Sequence, residues 1–249
     1  MSEWQIKKAY TCSKHANSSS FKSKQILLTK YDMKNSIITA GIFVALILTA
    51  GISSGQSQSR ETRNEGDFEK VVFGIKGELI INFGPEHRII IEGQQSVPDE
   101  IETKVTNGRL LIMTKRPGYF KNDEEVVVRI TMPEIRSLSV SGSGKAIIAD
   151  PVINNDLNLA VSGSGRLIVG QLKTDDLTCV ISGSGNIVIE DGGSAADADI
   201  VISGSGNFFG ESLEINDLTA KISGSGNCNC RINESLEAVI LGSGNITYR

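Results

Sequence analysis

The sequence predicts an all-β fold: a parallel β-helix of about six coils, with about 20 residues in each coil, preceded by a β-rich N-terminal cap. Two observations lead to this prediction. One tetrapeptide recurs at nearly constant spacing through the second half of the chain, and apolar residues alternate with polar ones through its copies. Leucine-rich repeats are excluded because their Leu/Asn consensus is absent, and propeller blades need roughly 40 residues or more.

The recurring tetrapeptide is Ser-Gly-Ser-Gly. Its copies begin at Ser141, Ser162, Ser182, Ser203 and Ser223, and a degenerate copy begins at Leu241. The steps between them are 21, 20, 21, 20 and 18 residues, a Val or Ile precedes each copy, and an Asn follows four of them. In one copy, every second residue from Leu177 to Ile189 shares one apolar face. A period of two is typical of strands, and stacked coils of strands lie about 4.8 Å apart.

Residues 68–135 are predicted to form the cap, and residues 136–249 the repeats. Turn signals such as Gly84-Pro85 and Asn107-Gly108 separate apolar runs that indicate strands. These runs are Val71–Ile75, Leu79–Phe83, Ile89–Ile91, Leu110–Met113 and Val126–Ile130. Pro98–Val105, with Pro and acidic residues at its start, is predicted as one short helix. A cap is expected because the open end of a solenoid invites aggregation.

The N-terminal part predicts export. Residues 36–52 carry no charge, follow Lys34 and precede small polar residues, which is the pattern of a signal peptide. We assign residues 33–55 to a cleaved signal peptide, with an uncleaved N-terminal anchor as the alternative. Residues 1–32 are then an over-extended start or a cytoplasmic tail, and residues 56–67 a polar linker. Both alternatives place the repeats outside the cytoplasm: periplasmic, on the outer surface or secreted, and membrane-anchored if the leader is kept.

Charge and composition argue against two functions. The chain has 25 basic and 29 acidic residues, of which the first 55 residues hold seven and two. The remaining 18 basic and 27 acidic residues give that part a net charge of about −9. A nucleic-acid partner is therefore not expected, since binding phosphates needs a basic surface. Catalysis based on histidine is also disfavoured, because His87 is the only His beyond the leader.

The repeats resemble a known family. The motif from Val140 to Gly144 and its copies, with Asn-Ile after Gly185 and after Gly244, resembles the putative auto-transporter adhesin "head GIN" domain over about residues 68–249. The resemblance implies a right-handed β-helix, bacterial export and a periplasmic or surface location. It implies no catalytic residues and no cofactor. An autotransporter also needs a membrane barrel after its passenger, and the sequence shows none after its last repeat, so self-transport is not expected.

A polar strip on the outer face of the repeats is the candidate binding site. It consists of Ser143, Ser164, Ser184, Ser205, Ser225 and Ser243 together with Asn186, Asn207, Asn227 and Asn245. The strip is interpreted in two ways. It is a flat face that binds a glycan or another polymer, or a structural ladder in which stacked Ser and Asn side chains bond to each other. Alternation places Phe208 and Tyr248 inward and leaves Phe209 as the outward aromatic residue.

Neither a metal nor a disulfide framework is predicted. Asp156, Asp176, Asp197 and Asp217 recur six residues before their Ser-Gly-Ser-Gly copies. They are expected to cap turns, with Ca²⁺ binding as the less favoured alternative. Of the four Cys, Cys12 precedes the leader, while Cys179, Cys228 and Cys230 are expected to be small buried apolar residues.

The sequence therefore predicts an exported, non-enzymatic β-helix that acts as an adhesin or a cell-envelope interaction module. The alternative is a periplasmic protein that binds or acts on polysaccharides. Enzymes of that kind need paired carboxylates on one face. The adjacent acidic residues of the repeats are Asp175-Asp176 and Glu190-Asp191, and neighbours in sequence point to opposite faces of a strand. The expected partner is a glycan or an envelope or surface protein. The last repeat ends without an obvious cap, so copies of the chain could associate through this open edge.

Overall fold

The computed structural model describes residues 58–94, 96–116 and 126–249, all of them within one compact unit. The predictions for residues 1–32, for the signal peptide or anchor at 33–55 and for Cys12 lie outside these residues. Among the residues that are described, none belongs to a helix long and apolar enough to cross a membrane. The described chain is almost entirely β, as predicted.

In its described residues, the cap contains seven strands and one short helix. They are β1 (Gln58–Arg63), β2 (Lys70–Phe73), β3 (Glu78–Phe83), β4 (Arg88–Gln94), α1 (Val97–Glu100), β5 (Ile101–Thr106), β6 (Arg109–Thr114) and β7 (Val127–Met132). Each apolar run predicted as a strand is one. Strand β4 pairs antiparallel with β1 and β7, and β5 pairs antiparallel with β6.

Two predictions for the cap were wrong. The helix predicted over Pro98–Val105 ends at Glu100, and Ile101–Thr106 continues as β5, because the Asn107-Gly108 turn folds it back onto β6. Both turn residues have a positive φ, 52° and 68°, as the tightest hairpin turns require. The residues interpreted as a polar linker at 56–67 include β1, whose alternate side chains are partly buried where it pairs with β4.

The repeats form nine further strands. They are β8 (Ser137–Gly142), β9 (Lys145–Ile148), β10 (Val152–Ile153), β11 (Asp156–Gly163), β12 (Arg166–Gly183), β13 (Asn186–Gly204), β14 (Asn207–Gly224), β15 (Asn227–Gly242) and β16 (Asn245–Tyr248). All of their pairings with one another are parallel. Successive coils therefore stack in register as a β-solenoid.

Each coil supplies three walls. The first wall stacks residues 137–142, 156–163, 176–183, 197–204, 217–224 and 235–242; the second stacks 145–148, 166–169, 186–189, 207–210, 227–230 and 245–248; and the third stacks 152–153, 171–174, 192–195, 213–215 and 231–232. The last repeat adds strands to two walls only. The solenoid thus has about five full turns, where the count of repeats predicted about six.

The cap continues the solenoid instead of lying across its end. Strand β2 pairs parallel with β8 in the first wall, and β3 pairs parallel with β9 in the second wall. Strands β6 and β7 then add one more parallel neighbour to β2 and β3. Antiparallel strands cover the edge after that, so the core runs without interruption from Phe68 into the repeats.

The predicted alternation places the core correctly. Leu177, Cys179, Ile181, Ile187 and Ile189 are all at most 3% exposed. The inward face stays the same across the Ser-Gly-Ser-Gly corner. At the far end the core is open: Ile240 is 42% exposed, whereas Ile222, one coil earlier in the same column, is 2% exposed. Association of copies through this end stays a prediction.

Candidate functional site

The Ser-Gly-Ser-Gly motif forms the corner between the first and second walls. Its first Gly has a positive φ in every copy, for example 113° at Gly183, a conformation that side chains disfavour. The N–H of the second Ser donates to the carbonyl of the first Gly one coil earlier, as from Ser184 to Gly163 over 2.8 Å. The backbone hydrogen bonds of the solenoid therefore continue through the corner.

The second Gly of the motif lies inside the corner, beneath the preceding coil. A Cβ atom on Gly185 would lie 2.3 Å from Cγ1 of Val161 and 2.6 Å from the carbonyl oxygen of Gly165. The same contact recurs between Gly165 and Val140 and between Gly206 and Ile181. The motif and the Val or Ile before it thus interlock successive coils, which gives a structural reason for the repeat.

The structure brings the predicted polar strip together as two parallel columns. In the first column all six second Ser residues of the motif are exposed. Within the described part of the chain, their hydroxyl groups form no side-chain hydrogen bonds. The Ser side chains therefore do not bond to one another, and the structural interpretation of the strip does not hold for them.

The second column is a continuous asparagine ladder. Nδ2 of Asn207 donates to Oδ1 of Asn186 over 2.8 Å, and Nδ2 of Asn227 donates to Oδ1 of Asn207 over 2.8 Å. A longer bond of 3.3 Å joins Asn245 to Asn227. Lys145 and Arg166 hold the same position in the first two coils, so the ladder starts at Asn186. For the asparagines the structural interpretation is confirmed.

Beside the asparagine ladder runs an outward apolar column that the sequence reasoning missed. Strand register aligns Ile80, Ile147, Ile168, Val188 and Phe209 across five neighbouring strands of the second wall. In the first four repeats these residues lie six positions after the first Ser of the motif, so the column could have been predicted from the spacing of the repeats. The members shield one another, and Ile168 is only 8% exposed.

The three aromatic residues of the repeats lie where alternation places them, with one difference in burial. Phe208 is fully buried, and Phe209 faces outward in the apolar column. Tyr248 is 60% exposed although it occupies an inward position, because no coil covers the last strand.

The aspartate column stands where the third wall turns into the first. Asp156, Asp176, Asp197 and Asp217 are in register, and the hydroxyl of Ser235 donates to the carboxylate of Asp217. All four are strand residues, and none of the described hydrogen bonds joins one of their carboxylates to a backbone amide, so the prediction that they cap turns was wrong. In residues 58–94, 96–116 and 126–249, no three His, Cys, Asp or Glu side chains are grouped so that they could hold a metal ion.

The three cysteines of the repeats lie in the core and are not paired in disulfides. Burial raises the pKa of the Cys179 thiol. A hydrogen bond with Cys230, together with burial, raises the pKa of the Cys228 thiol. Both groups remain neutral at physiological pH, as expected for small apolar core residues.

Two neighbouring cavities lie where the cap meets the first coils, and nothing in the sequence pattern predicted them. The larger is about 480 Å³ and is lined by Asp67, Phe68, Glu69, His87, Pro133 and Glu134. The smaller is about 280 Å³ and is lined by Glu134, Arg136, Ile153, Asn154, Asn155 and Asp156. Their lining comes from segments far apart in sequence, so only the fold brings them together. We call this region the junction cleft.

Solved structures share this fold. A putative adhesin from Bacteroides fragilis superimposes with a TM-score of 0.71 at 19% identity, covering 80% of this chain and 100% of that one. A putative adhesin from Parabacteroides distasonis gives a TM-score of 0.60 at 17% identity, covering 78% and 98%. A putative lipid binding protein from the same species gives 0.59 at 18% identity, covering 78% and 98%.

A search of curated proteins found no match to the chain. A family model, in contrast, matches residues 67–249, which include the cap from β2 onward, the junction cleft and every coil. The match starts within one residue of the segment that the repeats and the cap suggested. The chain therefore belongs to the family described as "Putative auto-transporter adhesin, head GIN domain".

Proposed function

We propose that the protein is an exported, non-enzymatic interaction module of the cell envelope or cell surface that acts as an adhesin. Its family description and the names of its structural neighbours support an adhesive role. The signal peptide or anchor predicted at residues 33–55 supports export. Residues 1–32 enter this proposal only as an over-extended start or a cytoplasmic tail.

The observation that carries the proposal is the exposed serine column at the corner of the first and second walls. Six hydroxyl groups, from Ser143 to Ser243, follow one another at the spacing of the coils, about 4.8 Å. The outward first Ser residues of the five intact copies form a second exposed column beside them. A rigid array of hydroxyl groups that can both donate and accept hydrogen bonds suits a long, repetitive polar partner.

The asparagine ladder has a smaller part in this proposal. Each inner amide, such as that of Asn207, already uses one N–H and one oxygen lone pair on its neighbours. It keeps one N–H and one lone pair for a partner. The ladder is therefore mainly a support that keeps the serine corner regular, and the hydroxyl groups make the contact.

The rival function is a periplasmic protein that binds or acts on polysaccharides. The catalytic version of it needs two carboxylates facing one bond of the sugar. Asp175-Asp176 lie at the corner between the third and first walls, and Glu190-Asp191 at the corner between the second and third walls, all on exposed positions. We therefore favour binding over hydrolysis.

Binding of the purified protein to an array of glycans and matrix proteins tests the proposal. A Ser184→Lys/Ser205→Glu variant puts bulk and charge on the serine column. A Gln171→Lys/Ser212→Glu variant makes the same change at exposed positions on and beside the third wall and serves as the matched control. Loss of a specific signal in the first variant alone is the expected result. A signal kept in both variants moves the contact away from the serine column, and no signal at all contradicts the adhesive role.

A further inference from the structure

We propose that two copies of this chain associate through the last coil of the solenoid, end to end, about a two-fold axis. The contact surface is the outer edge of residues 235–242 in the first wall and of β16 in the second wall, which we call the open end. Each of these segments pairs with the preceding coil on one side, and none of the described residues pairs with it on the other side. Unpaired N–H and C=O groups along such an edge are a template for another strand.

Apolar side chains are concentrated at the open end. Eight large apolar side chains of the described residues are exposed, and four of them belong to this coil, Val239, Ile240, Leu241 and Tyr248, at 41% to 68% exposure. Leu241 stands where the five intact motifs carry their first Ser, so the motif becomes apolar in the coil with the uncovered edge. Residues 235–242 and 245–248 contain no Lys or Pro, the residues with which natural sheet edges block pairing.

The opposite end of the described solenoid is different. Its outermost strands, β1 and β5, carry charged residues, namely Arg60, Glu61, Arg63, Glu102 and Lys104. Charged side chains of this kind discourage pairing at a sheet edge. Stacking of copies head to tail, which would build an open filament, is therefore disfavoured. A closed pair in which one open end meets another is the assembly that remains.

The last turn of the solenoid is complementary to itself. It runs from the third wall (231–232) through the first wall (235–242) to the second wall (245–248), so its middle lies at about Val239. A two-fold axis across the solenoid at this residue reverses the chain direction of the second copy, and the first walls meet antiparallel. The second wall of each copy extends one strand beyond its third wall, and it meets the third wall of the other copy. Strands therefore stay about 4.8 Å apart on all three walls.

The residues that this axis brings together fit one another. In the first wall, Ala238 lies opposite Ile240 of the second copy, a small side chain against a large one. Ile246 of the second wall lies opposite Ile232 of the third wall, and both pack against the core of their own chain. No charged residue of the segment 231–248 lies opposite another charged residue. The pair thus covers the open core without an electrostatic cost.

Pairing also arranges the outer faces. The first walls of the two copies form one continuous sheet, with one serine column at each border. Two columns held on one rigid body bind a long partner more tightly than one column does. This consequence rests on the proposed function, whereas the pairing itself does not.

Sedimentation analysis of the purified protein tests the pairing. We expect a dimer, and we expect Leu241→Glu to be a monomer, because the new carboxylate lies opposite Glu237 of the second copy. Adding Glu237→Lys to that variant turns the repulsion into an attraction and should restore the dimer. Ser223→Glu, which lies one coil earlier in the same column, is the matched control and should remain a dimer.

Cross-linking locates the axis. In a Cys12→Ser protein, Val239→Cys sets two thiols opposite each other, and diamide should join them as a disulfide by taking up their two hydrogen atoms. Val201→Cys is the matched control, since Val201 belongs to the same outward column two coils earlier and is 38% exposed against 41% for Val239. It should give no covalent dimer.

Three results would overturn the inference: a monomeric native protein, a Leu241→Glu variant that remains a dimer, or equal cross-linking of the two cysteine variants. None of them bears on the serine column, because the array experiment measures partner binding and not the association of copies.

Discussion

Asn207 donates a hydrogen bond from Nδ2 to Oδ1 of Asn186 over 2.8 Å, across one step of the solenoid. Its own Oδ1 accepts an equal bond from Asn227. Stacked amides of this kind tie successive coils together outside the core. The ladder makes stability depend on polar residues of the outer face.

Replacement of Asn207 should therefore weaken the solenoid. We expect Asn207→Ala to lower the free energy of unfolding by about 1–3 kcal/mol, since two hydrogen bonds worth about 0.5–1.5 kcal/mol each are lost. Urea unfolding followed by circular dichroism measures this. Asn245→Ala is the matched control at the exposed end of the ladder, where the single bond is 3.3 Å long, and it should cost less than about 1 kcal/mol. Equal losses in the two variants would show that the two inner hydrogen bonds of the ladder add no more stability than the single bond at its end.

The second Gly of the motif should be intolerant of any side chain. In Gly185→Ala the new Cβ would meet Val161 and a backbone carbonyl at less than 3 Å. We expect a loss of about 3 kcal/mol or more, at the upper end of what overpacking costs. Gly170→Ala is the control, because its Cβ would meet no atom closer than 3.4 Å. It should change stability by about 1 kcal/mol or less. A Gly185→Ala protein as stable as the control would refute the interlocking of coils.

The sequence predicted correctly those features whose signals lie within one short segment, and it missed features that depend on residues far apart in the chain. Alternation from Leu177 to Ile189 is local and repeats, so it predicted both the walls and the buried face. The helix predicted over Pro98–Val105 was wrong in its length. The Pro and acidic residues do start a helix, but it ends at Glu100. Ile101, Thr103 and Val105 alternate as a strand once the Asn107-Gly108 turn returns the chain. The junction cleft was missed because its lining residues, such as His87 and Asn154, come from segments that only the pairing of distant strands brings near one another.

Strand β1 offers a test of the cap. The Arg63 guanidinium donates to the carbonyl of Pro98 over 2.8 Å and to that of Ile101 over 2.9 Å. Glu61 holds the same guanidinium at 2.8 Å. This contact anchors a polar strand that has little apolar burial of its own. We expect Arg63→Ala to speed hydrogen exchange of the β1 amides about tenfold, the effect of losing a hydrogen bond to a charged group.

Arg60→Ala is the control for β1. Arg60 forms a single 3.5 Å ion pair with Glu92 and is 64% exposed, so its loss should leave exchange nearly unchanged. Acid should mimic the Arg63 variant, since the hydrogen bond from Arg63 holds the pKa of Glu61 below its usual value of 4.5. The stabilisation is complete above that value and is lost as pH falls through the lowered pKa. Exchange in β1 that is insensitive to both changes would mean that pairing with β4 alone holds the strand.

The buried thiols also make stability depend on pH, but they lower it in base, whereas Glu61 lowers it in acid. Burial raises the pKa of Cys179, and the hydrogen bond with Cys230 together with burial raises that of Cys228. On Cys179 and Cys228 the folded chain therefore keeps protons that the unfolded chain releases near the ordinary thiol pKa, while the hydrogen bond with Cys228 lowers the pKa of Cys230 and offsets part of this difference. The stabilisation is fully present below that pKa and is lost as pH rises beyond it. A Cys12→Ser protein keeps only the three cysteines of the repeats and suits the measurement.

In that protein, a thiol reagent such as dithionitrobenzoate should react only when the solenoid opens. We expect the rate at neutral pH to follow global unfolding, and urea to release three thiols together. The free energy of unfolding should fall between pH 8 and pH 10, near the ordinary thiol pKa of about 8.5. A further Cys179→Ala/Cys228→Ala change should flatten this pH dependence, and it also removes two of the reacting groups. Rapid labelling of the native protein would instead place a cysteine at an opening in the walls, where a reagent reaches it without unfolding.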